Sequence, residues 1–240
     1  MTAPGTLYGL GVGPGDSELL TVKAARILGA CRTVFVPKAR TAADSVALGI
    51  ARQYLGADSQ VIELVFPMTS DAGELTRRWD ESAARVAAVL ERGEDACFLT
   101  IGDPLLYSTY IYLLRALRLR LPALRAVTVP GITAFTAVAA LTEFPIGEGK
   151  EPVTIVPTGD DLDAVRRALA TGGTVVLMKI GKRLDAILDV LEAAGALESG
   201  VFVAHAGMPN QRVETDLRAL RGQGPETGYL SIILVKGKRT

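Results

Sequence analysis

The chain has 240 residues, of which 49% are hydrophobic, 22% charged and 5% aromatic, with 26 Lys+Arg against 26 Asp+Glu. That length can bury a sizeable core in one large domain or two small ones, and the composition excludes a disordered, collagen-like or coiled-coil chain. A formal net charge of zero argues against bulk electrostatic capture of nucleic acid, which needs a basic face.

The start of the chain carries no cationic segment ahead of an apolar one, and no run of about 18 apolar residues exists, so neither a signal peptide nor a membrane span is expected. Cys31 and Cys97 stand far apart in apolar surroundings. They suggest neither a disulfide framework nor a metal site, and a reduced, cytoplasmic setting is the expectation.

Apolar, β-branched runs then alternate with helical periodicity. Strands are expected at Thr6–Val12, Thr33–Pro37, Val61–Phe66 and Ala96–Ile101. Between and after them, helices are expected at Ser17–Gly29 (with Asp16 as N-cap), Ala43–Leu55, Glu74–Arg92 (closed by Gly93) and Ser108–Leu119. Arg120–Leu124 carries a proline and reads as a link. Beyond it come strands at Ala126–Val129, Val153–Pro157 and Thr174–Ile180, with helices at Thr133–Leu141, Leu162–Ala170 and Leu184–Ala194. Val201–Ala204, Gln211–Leu217 and Tyr229–Lys236 have no long helix between them, which points to antiparallel pairing at the end. The fold class is therefore α/β. Two lobes, 1–121 and 122–240, carry mostly parallel sheets and an antiparallel C-terminal part, with an active-site cleft expected between them.

The first strand runs into Gly9-Leu10-Gly11-Val12-Gly13-Pro14-Gly15-Asp16. Glycines let a ligand approach the backbone, but this loop suits a phosphate poorly. Pro14 removes an N–H donor, Asp16 would repel a pyrophosphate, and the Lys-Ser/Thr ending of a P-loop is absent. The acid that a dinucleotide fold places about 20 residues on is missing too, since Val34-Phe35-Val36-Pro37-Lys38 occupies that stretch. The loop is either a ligand contact or a tight turn, with Pro14-Gly15 as the central pair of a type II turn.

Further signals fall where strands end: Gly102-Asp103-Pro104, Pro130-Gly131-Ile132-Thr133-Ala134, Met178-Lys179-Ile180-Gly181 and Ala204-His205-Ala206-Gly207. In parallel sheets ligands sit beyond the carboxyl ends of strands. Each signal also has a structural reading: Asp103 and Thr133 as helix caps, Met178 as core, and His205 as an ordinary packed or surface histidine. One histidine and two distant cysteines build no typical zinc site, no Gly-x-Ser-x-Gly elbow exists, and no nucleophile stands beside an evident base. The chemistry expected is one in which the substrates are already reactive and the protein aligns them.

Taken together, Gly11-Val12-Gly13-Pro14-Gly15-Asp16 with Leu19-Leu20-Thr21 and Ala24, Val34–Lys38, Gly102-Asp103-Pro104, Pro130–Thr133 and Met178-Lys179 resemble the tetrapyrrole methylases. These are class III S-adenosylmethionine-dependent methyltransferases. The resemblance covers essentially the whole chain. Within the family, Gly102–Tyr112 and Val176–Gly181 are similar to the branch that methylates precorrin-2, or its cobalt-containing counterpart, at the C20 meso carbon in cobalamin biosynthesis.

The resemblance implies a two-lobed homodimer that uses S-adenosyl-L-methionine, releases S-adenosyl-L-homocysteine and acts on a tetrapyrrole, with no nucleic-acid partner, membrane or metal. It implies methyl-donor contacts at Pro14, Gly102, Asp103, Leu106, Thr133, Ala134, Met178 and Gly207, and gives the first glycine loop, with Gly13, Gly15 and Asp16, to the tetrapyrrole. Lys38, Lys179, Arg40, Lys182 and Arg183 follow strand ends and suit the substrate's carboxylates. Arg115, Arg118 and Arg120 read as a solvated helix face.

Uroporphyrinogen-methylating relatives carry an Arg and a Glu shortly after Gly-Asp-Pro, where this chain has Thr109 and Tyr112, so those roles do not transfer. Asp103, Tyr107 and Tyr112 remain as catalytic candidates; Tyr107, Tyr110 and Tyr112 are candidates for shaping the substrate pocket. The alternatives are methylation of another precorrin carbon and a nicotinamide-dependent oxidoreductase.

Overall fold

The computed structural model describes residues 3–39, 45–66 and 71–237, in two compact units, 1–133 and 134–240. Arg40 and the start of the helix expected at Ala43–Leu55 lie outside the described residues.

The first unit is an all-parallel five-stranded sheet in the order β3-β2-β4-β1-β5. Its strands are β1 (Thr6–Gly11), β2 (Thr33–Ala39), β3 (Gln60–Phe66), β4 (Ala96–Thr100) and β5 (Arg125–Val129), with helices α1 (Val22–Ala30), α2 (Val46–Ala51), α3 (Ala72–Leu90) and α4 (Tyr110–Arg120). Leu7, Phe35 and Phe98 meet Val86, Leu90, Leu113 and Leu117 of α3 and α4 in one core. The alternate residues Val34, Val36, Cys97 and Leu99 are fully buried as well, so both sheet faces are covered.

Two details depart from the sequence reading. The helix expected at Ser17–Gly29 is a short 3₁₀ turn at Ser17–Leu19, capped by Asp16, followed by α1. Leu20 and Thr21 are extended between them, and the Thr21 hydroxyl accepts from Ala24 N at 3.2 Å, restarting the helix. The sequence also places the junction at 121/122, but Arg125–Val129 pairs in parallel with β1. The first unit therefore runs on through that strand.

The second unit holds β6 (Val153–Pro157), β7 (Thr174–Met178), β8 (Gly200–Ala204), β9 (Arg212–Glu214) and β10 (Ser231–Lys236), in the order β6-β7-β10-β8-β9. The one parallel pairing of this sheet among the described residues is β6 with β7; β10 runs antiparallel between β7 and β8, and β9 pairs antiparallel with β8. The antiparallel ending read from the sequence is present, and β10 occupies the middle of the sheet, a place that no local pattern announces. Alternation explains its place. Ile232 and Leu234 join Val176 and Val203 in a cluster with Val138 of α5 (Ala134–Thr142), whereas Ile233 and Val235 join Leu177 and Phe202. That second cluster includes α6 (Asp163–Thr171) and α7 (Leu184–Ala193). A strand apolar on both faces needs cover on both.

Candidate functional site

In the first sheet β1 lies between β4 and β5. The chain crosses from one side of β1 to the other, the kind of switch point at which α/β sheets bind ligands beyond their carboxyl ends. Three of the singled-out motifs meet there, backbone against backbone. Val12 N donates to Thr100 O at 2.9 Å, and Gly13 and Gly102 exchange hydrogen bonds at 3.4 and 2.8 Å. A Cβ on Gly11 would stand 2.6 Å from both Gly102 O and Gly131 N, and one on Gly131 would stand 2.1 Å from Gly102 O. The glycines therefore let three loops approach each other. Gly9 has a separate reason: its Cβ would stand 2.2 Å from the Tyr110 ring, which crosses β1 and hydrogen-bonds Thr128 Oγ1 at 3.1 Å. Burial pushes the Tyr110 phenol above its ordinary pKa, with the Thr128 bond opposing, so it stays protonated at neutral pH.

Asp103 ties this end together. One carboxylate oxygen accepts from Leu105 N at 2.8 Å, the other from Gly131 N at 3.1 Å. It closes a local turn and ties across to the β5 loop; it does not cap the next helix, which begins only at Tyr110 after Thr109. Pro14 is buried beside this bridge, but the residue with positive φ is Gly13 (78°) rather than Gly15. That excludes the type II turn expected at Pro14-Gly15, which needs positive φ at its second central residue. Asp16 spends one oxygen on Glu18 N at 2.9 Å. Leu106 is half-buried, and Tyr107 is 40% exposed with φ 52°. Ser108, unremarked in the sequence, bonds Thr100 Oγ1 at 2.8 Å and accepts from Tyr110 N at 3.1 Å, fixing the loop between β4 and α4.

Other candidates lie apart. Lys38, on β2, is salt-bridged to Glu63 of β3 at 2.9 Å. Tyr112 stacks on Trp79 (centroids 5.2 Å apart), which stacks on Phe66 at 4.4 Å, while Arg115 lies 6.0 Å over the Tyr112 ring. Tyr112 thus fastens α4 to α3 and is not gathered with the glycine motifs. Arg115, Arg118 and Arg120 are exposed, as expected. Thr133 closes the first unit and Ala134 opens α5 of the second.

In the second sheet β6, β7 and β8 run the same way, so their carboxyl ends share one edge. Among the residues there with positive φ are Lys179 (57°), Gly181 (52°), His205 (52°) and Gly207 (74°). Backbone held in this region away from glycine costs on the order of 1–2 kcal/mol per residue, and such strain gathers at functional loops. Met178 is half-buried against the α5 cluster, with Ala134 and Ala206. Thr158, which no sequence pattern marks, donates its N–H to Met178 O at 2.8 Å and its hydroxyl to Met178 O and Lys179 O at 3.1 and 2.9 Å. Gly207 N donates to Gln211 Oε1 at 2.7 Å, and the His205 ring lies 6.0 Å from Tyr229. Gly181 abuts Gly228, whose Cβ would stand 2.0 Å from Gly181 O. Arg183 is paired with Asp160, whereas exposed Lys179 and Lys182 have no ion-pair partner among the described residues.

A parallel sheet with backbone-lined loops at its switch point, together with a mixed sheet edged by strained residues, defines an α/β enzyme fold shared with a solved cobalt precorrin-4 methyltransferase. That structure matches with a TM-score of 0.75 at 19% identity, covering 97% of this chain and 94% of the other. The family model for tetrapyrrole (corrin/porphyrin) methylases matches residues 6–220. The chain belongs to the tetrapyrrole methylase family. It is 36% identical over 231 residues, 96% of each chain, to the cobalt-precorrin-2 C(20)-methyltransferase of Salmonella typhimurium. It is 31% identical over 241 residues to the precorrin-2 C(20)-methyltransferase of a Sinorhizobium species, covering 97% of this chain and 96% of that one.

Proposed function

We propose that this chain transfers a methyl group from S-adenosyl-L-methionine to the C20 meso carbon of precorrin-2 or its cobalt-containing counterpart, a step in building the corrin ring of cobalamin. The observation that carries this reading is the 36% identity to a C20-methyltransferase across 96% of both chains.

The residues present fit the methyl donor. It has a sulfonium cation and no phosphate. The first unit offers a carboxylate at Asp103 and left-handed glycines at Gly13 and Gly102; the second, taken by itself, offers a left-handed glycine at Gly207 and small apolar side chains at Ala134, Ala206 and Met178. Pro14, Gly102, Asp103, Leu106 and Thr133 of the first unit would hold it, as would Ala134, Met178 and Gly207 of the second. When bound, the donor supplies a methyl carbon that is electrophilic without further activation.

What the chain does is bind, orient and exclude water. Asp103 fixes the β4 and β5 loops relative to each other through two charge-assisted hydrogen bonds, so the backbone groups around it are pre-set. Holding reacting atoms close and collinear supplies up to about 7–11 kcal/mol of the barrier. The absence of a nucleophile–base pair in the sequence accords with that division of labour.

The substrate's acetate and propionate groups need cations. Lys179 is exposed, strained and without an ion-pair partner among the described residues, so it is the lysine best suited to them. Lys38 must first give up Glu63. Gly13, Gly15, Asp16 and Tyr107 complete the substrate set. The enzyme in this reading is a cytoplasmic homodimer; among the described residues no helix is long and apolar enough to cross a membrane.

The test offers labelled donor with metal-free precorrin-2 and with cobalt-factor II side by side, and locates the new methyl by NMR. One methyl at C20 of either acceptor is expected. Folded protein that binds S-adenosyl-L-homocysteine but labels neither acceptor refutes the C20 assignment while keeping the cofactor. Incorporation at another carbon moves the chain to a different branch. Elution at the mass of a single chain in size-exclusion chromatography refutes the dimer.

A further inference from the structure

Cys31 and Cys97 are packed together at the amino edge of the first sheet, and the proposed methyl transfer uses neither. Cys31 ends α1, its N–H bonding Leu28 O at 3.2 Å, two residues before β2 begins. Cys97 lies in β4, in register with Val34 of β2. The Cys31 Sγ is 3.3 Å from Thr33 O and 3.8 Å from the carbonyl of Asp95, two residues before Cys97, so the Cys31 thiol sits against the start of the strand that carries Cys97. Both sulfurs are free.

The pair is not symmetric. The hydrogen bond with Cys31, then burial inside the sheet, push the Cys97 thiol far above its ordinary pKa, so it keeps its proton. The same hydrogen bond lowers Cys31, with burial opposing, so Cys31 has the greater thiolate character. Cys31 also lines a surface depression of about 620 Å³, with Arg32, Gly56, Asp58 and Ser59 among its walls. A small neutral oxidant entering that depression therefore meets the Cys31 sulfur first, with Cys97 close by at the start of β4.

We propose that Cys31 and Cys97 form a dithiol–disulfide couple, a modification site for hydrogen peroxide at the end of the sheet opposite the Gly102-Asp103 loop. The Cys31 sulfur attacks one peroxide oxygen; the S–O bond forms, the O–O bond breaks, and the departing hydroxide takes the Cys31 proton as water. The Cys97 sulfur then attacks the sulfenic sulfur; the S–S bond forms, the S–O bond breaks, and the hydroxide leaves as water with the Cys97 proton. Two thiols are oxidised and one peroxide is reduced to two waters, with no other reactant.

The test takes the full chain, reduced and desalted, adds an equimolar amount of hydrogen peroxide, then denatures and alkylates. Expected are an intact mass lower by two hydrogens, no alkylation at either cysteine, and one cross-linked peptide joining residues 31 and 97. The bond closes a long loop, so the melting temperature should rise by about 5–15 °C and fall back with dithiothreitol. The variant Cys97→Ser should stop at a sulfenic acid on Cys31, trapped by dimedone, while Cys31→Ser should leave Cys97 reduced. The wild-type chain decides the matter even if a serine variant does not fold. Two alkylatable cysteines after peroxide treatment, or a disulfide between chains, would overturn the proposal.

Discussion

Replacing Gly131 with alanine tests why the three loops of the first unit meet. The added carbon would stand 2.1 Å from Gly102 O and 2.8 Å from the Gly11 Cα and carbonyl carbon. All are backbone atoms of neighbouring loops, so relief requires the loops to part by roughly 1 Å rather than a side chain to turn. Overpacking of this kind costs about 1–3 kcal/mol, and rigid neighbours put Gly131→Ala near about 3. For a chain of this size that lowers the melting temperature by about 6–12 °C. The shift also pulls Gly131 N–H from Asp103, so S-adenosyl-L-homocysteine affinity should fall at least about tenfold, near 1.4 kcal/mol. The control is the same substitution at Gly49, inside α2, exposed, with nothing within 4 Å of its Cβ. There alanine should stabilise by about 0.5–1 kcal/mol through helix propensity. Differential scanning fluorimetry and calorimetric titration read both effects. A Gly131→Ala chain melting within about 1 °C of wild type would refute the steric argument. Normal melting loss with unchanged ligand affinity would remove this loop junction from the cofactor site.

The same contacts give further expectations. Asp103→Ala removes two charge-assisted hydrogen bonds and should cost about 2–3 kcal/mol in chemical denaturation, while Asp103→Asn, keeping one acceptor, should cost about half as much. Lys179→Gly relieves a positive φ and should raise stability by up to about 1 kcal/mol, yet raise KM for the tetrapyrrole with little change in kcat if its charge meets a carboxylate. Tyr110 has its pKa raised by folding, so its stabilisation is complete below about pH 10 and is lost as pH climbs through the folded value. Wild type should therefore lose stability more steeply than Tyr110→Phe in alkaline urea titrations. Gly9→Ala and Tyr110→Leu should couple by about 1 kcal/mol or more in a double-mutant cycle, because the three atoms nearest the added carbon all belong to Tyr110.

The periodic features were legible. Strong β-branched runs place every strand of the first sheet within a few residues, and the glycine motifs fall at carboxyl strand ends because chain direction in a parallel sheet fixes where loops gather. What sequence could not supply was partnership. Nothing local says that Gly9 yields to Tyr110, that Lys38 is engaged by Glu63, or that Tyr112 lies on Trp79; each depends on a residue far along the chain. Thr158 and Ser108 carry no sequence signal, because a lone hydroxyl has no pattern. Apolar spacing persists through the 3₁₀ break near Leu20 and hides it, and the proline that suggests a link at 121/122 says nothing of the β1 pairing that carries β5 into the first sheet.

The central position of β10 sets an order of events during synthesis. The first sheet needs nothing beyond Val129, so it can pair while later residues are still being added. In the second sheet β7 and β8 have no bond to each other and must wait for Ser231–Lys236 to slide between them. Until then Val176, Val203 and the apolar side of α5 stand open to solvent, a window in which a chaperone, or a neighbouring nascent chain, meets a half-built sheet.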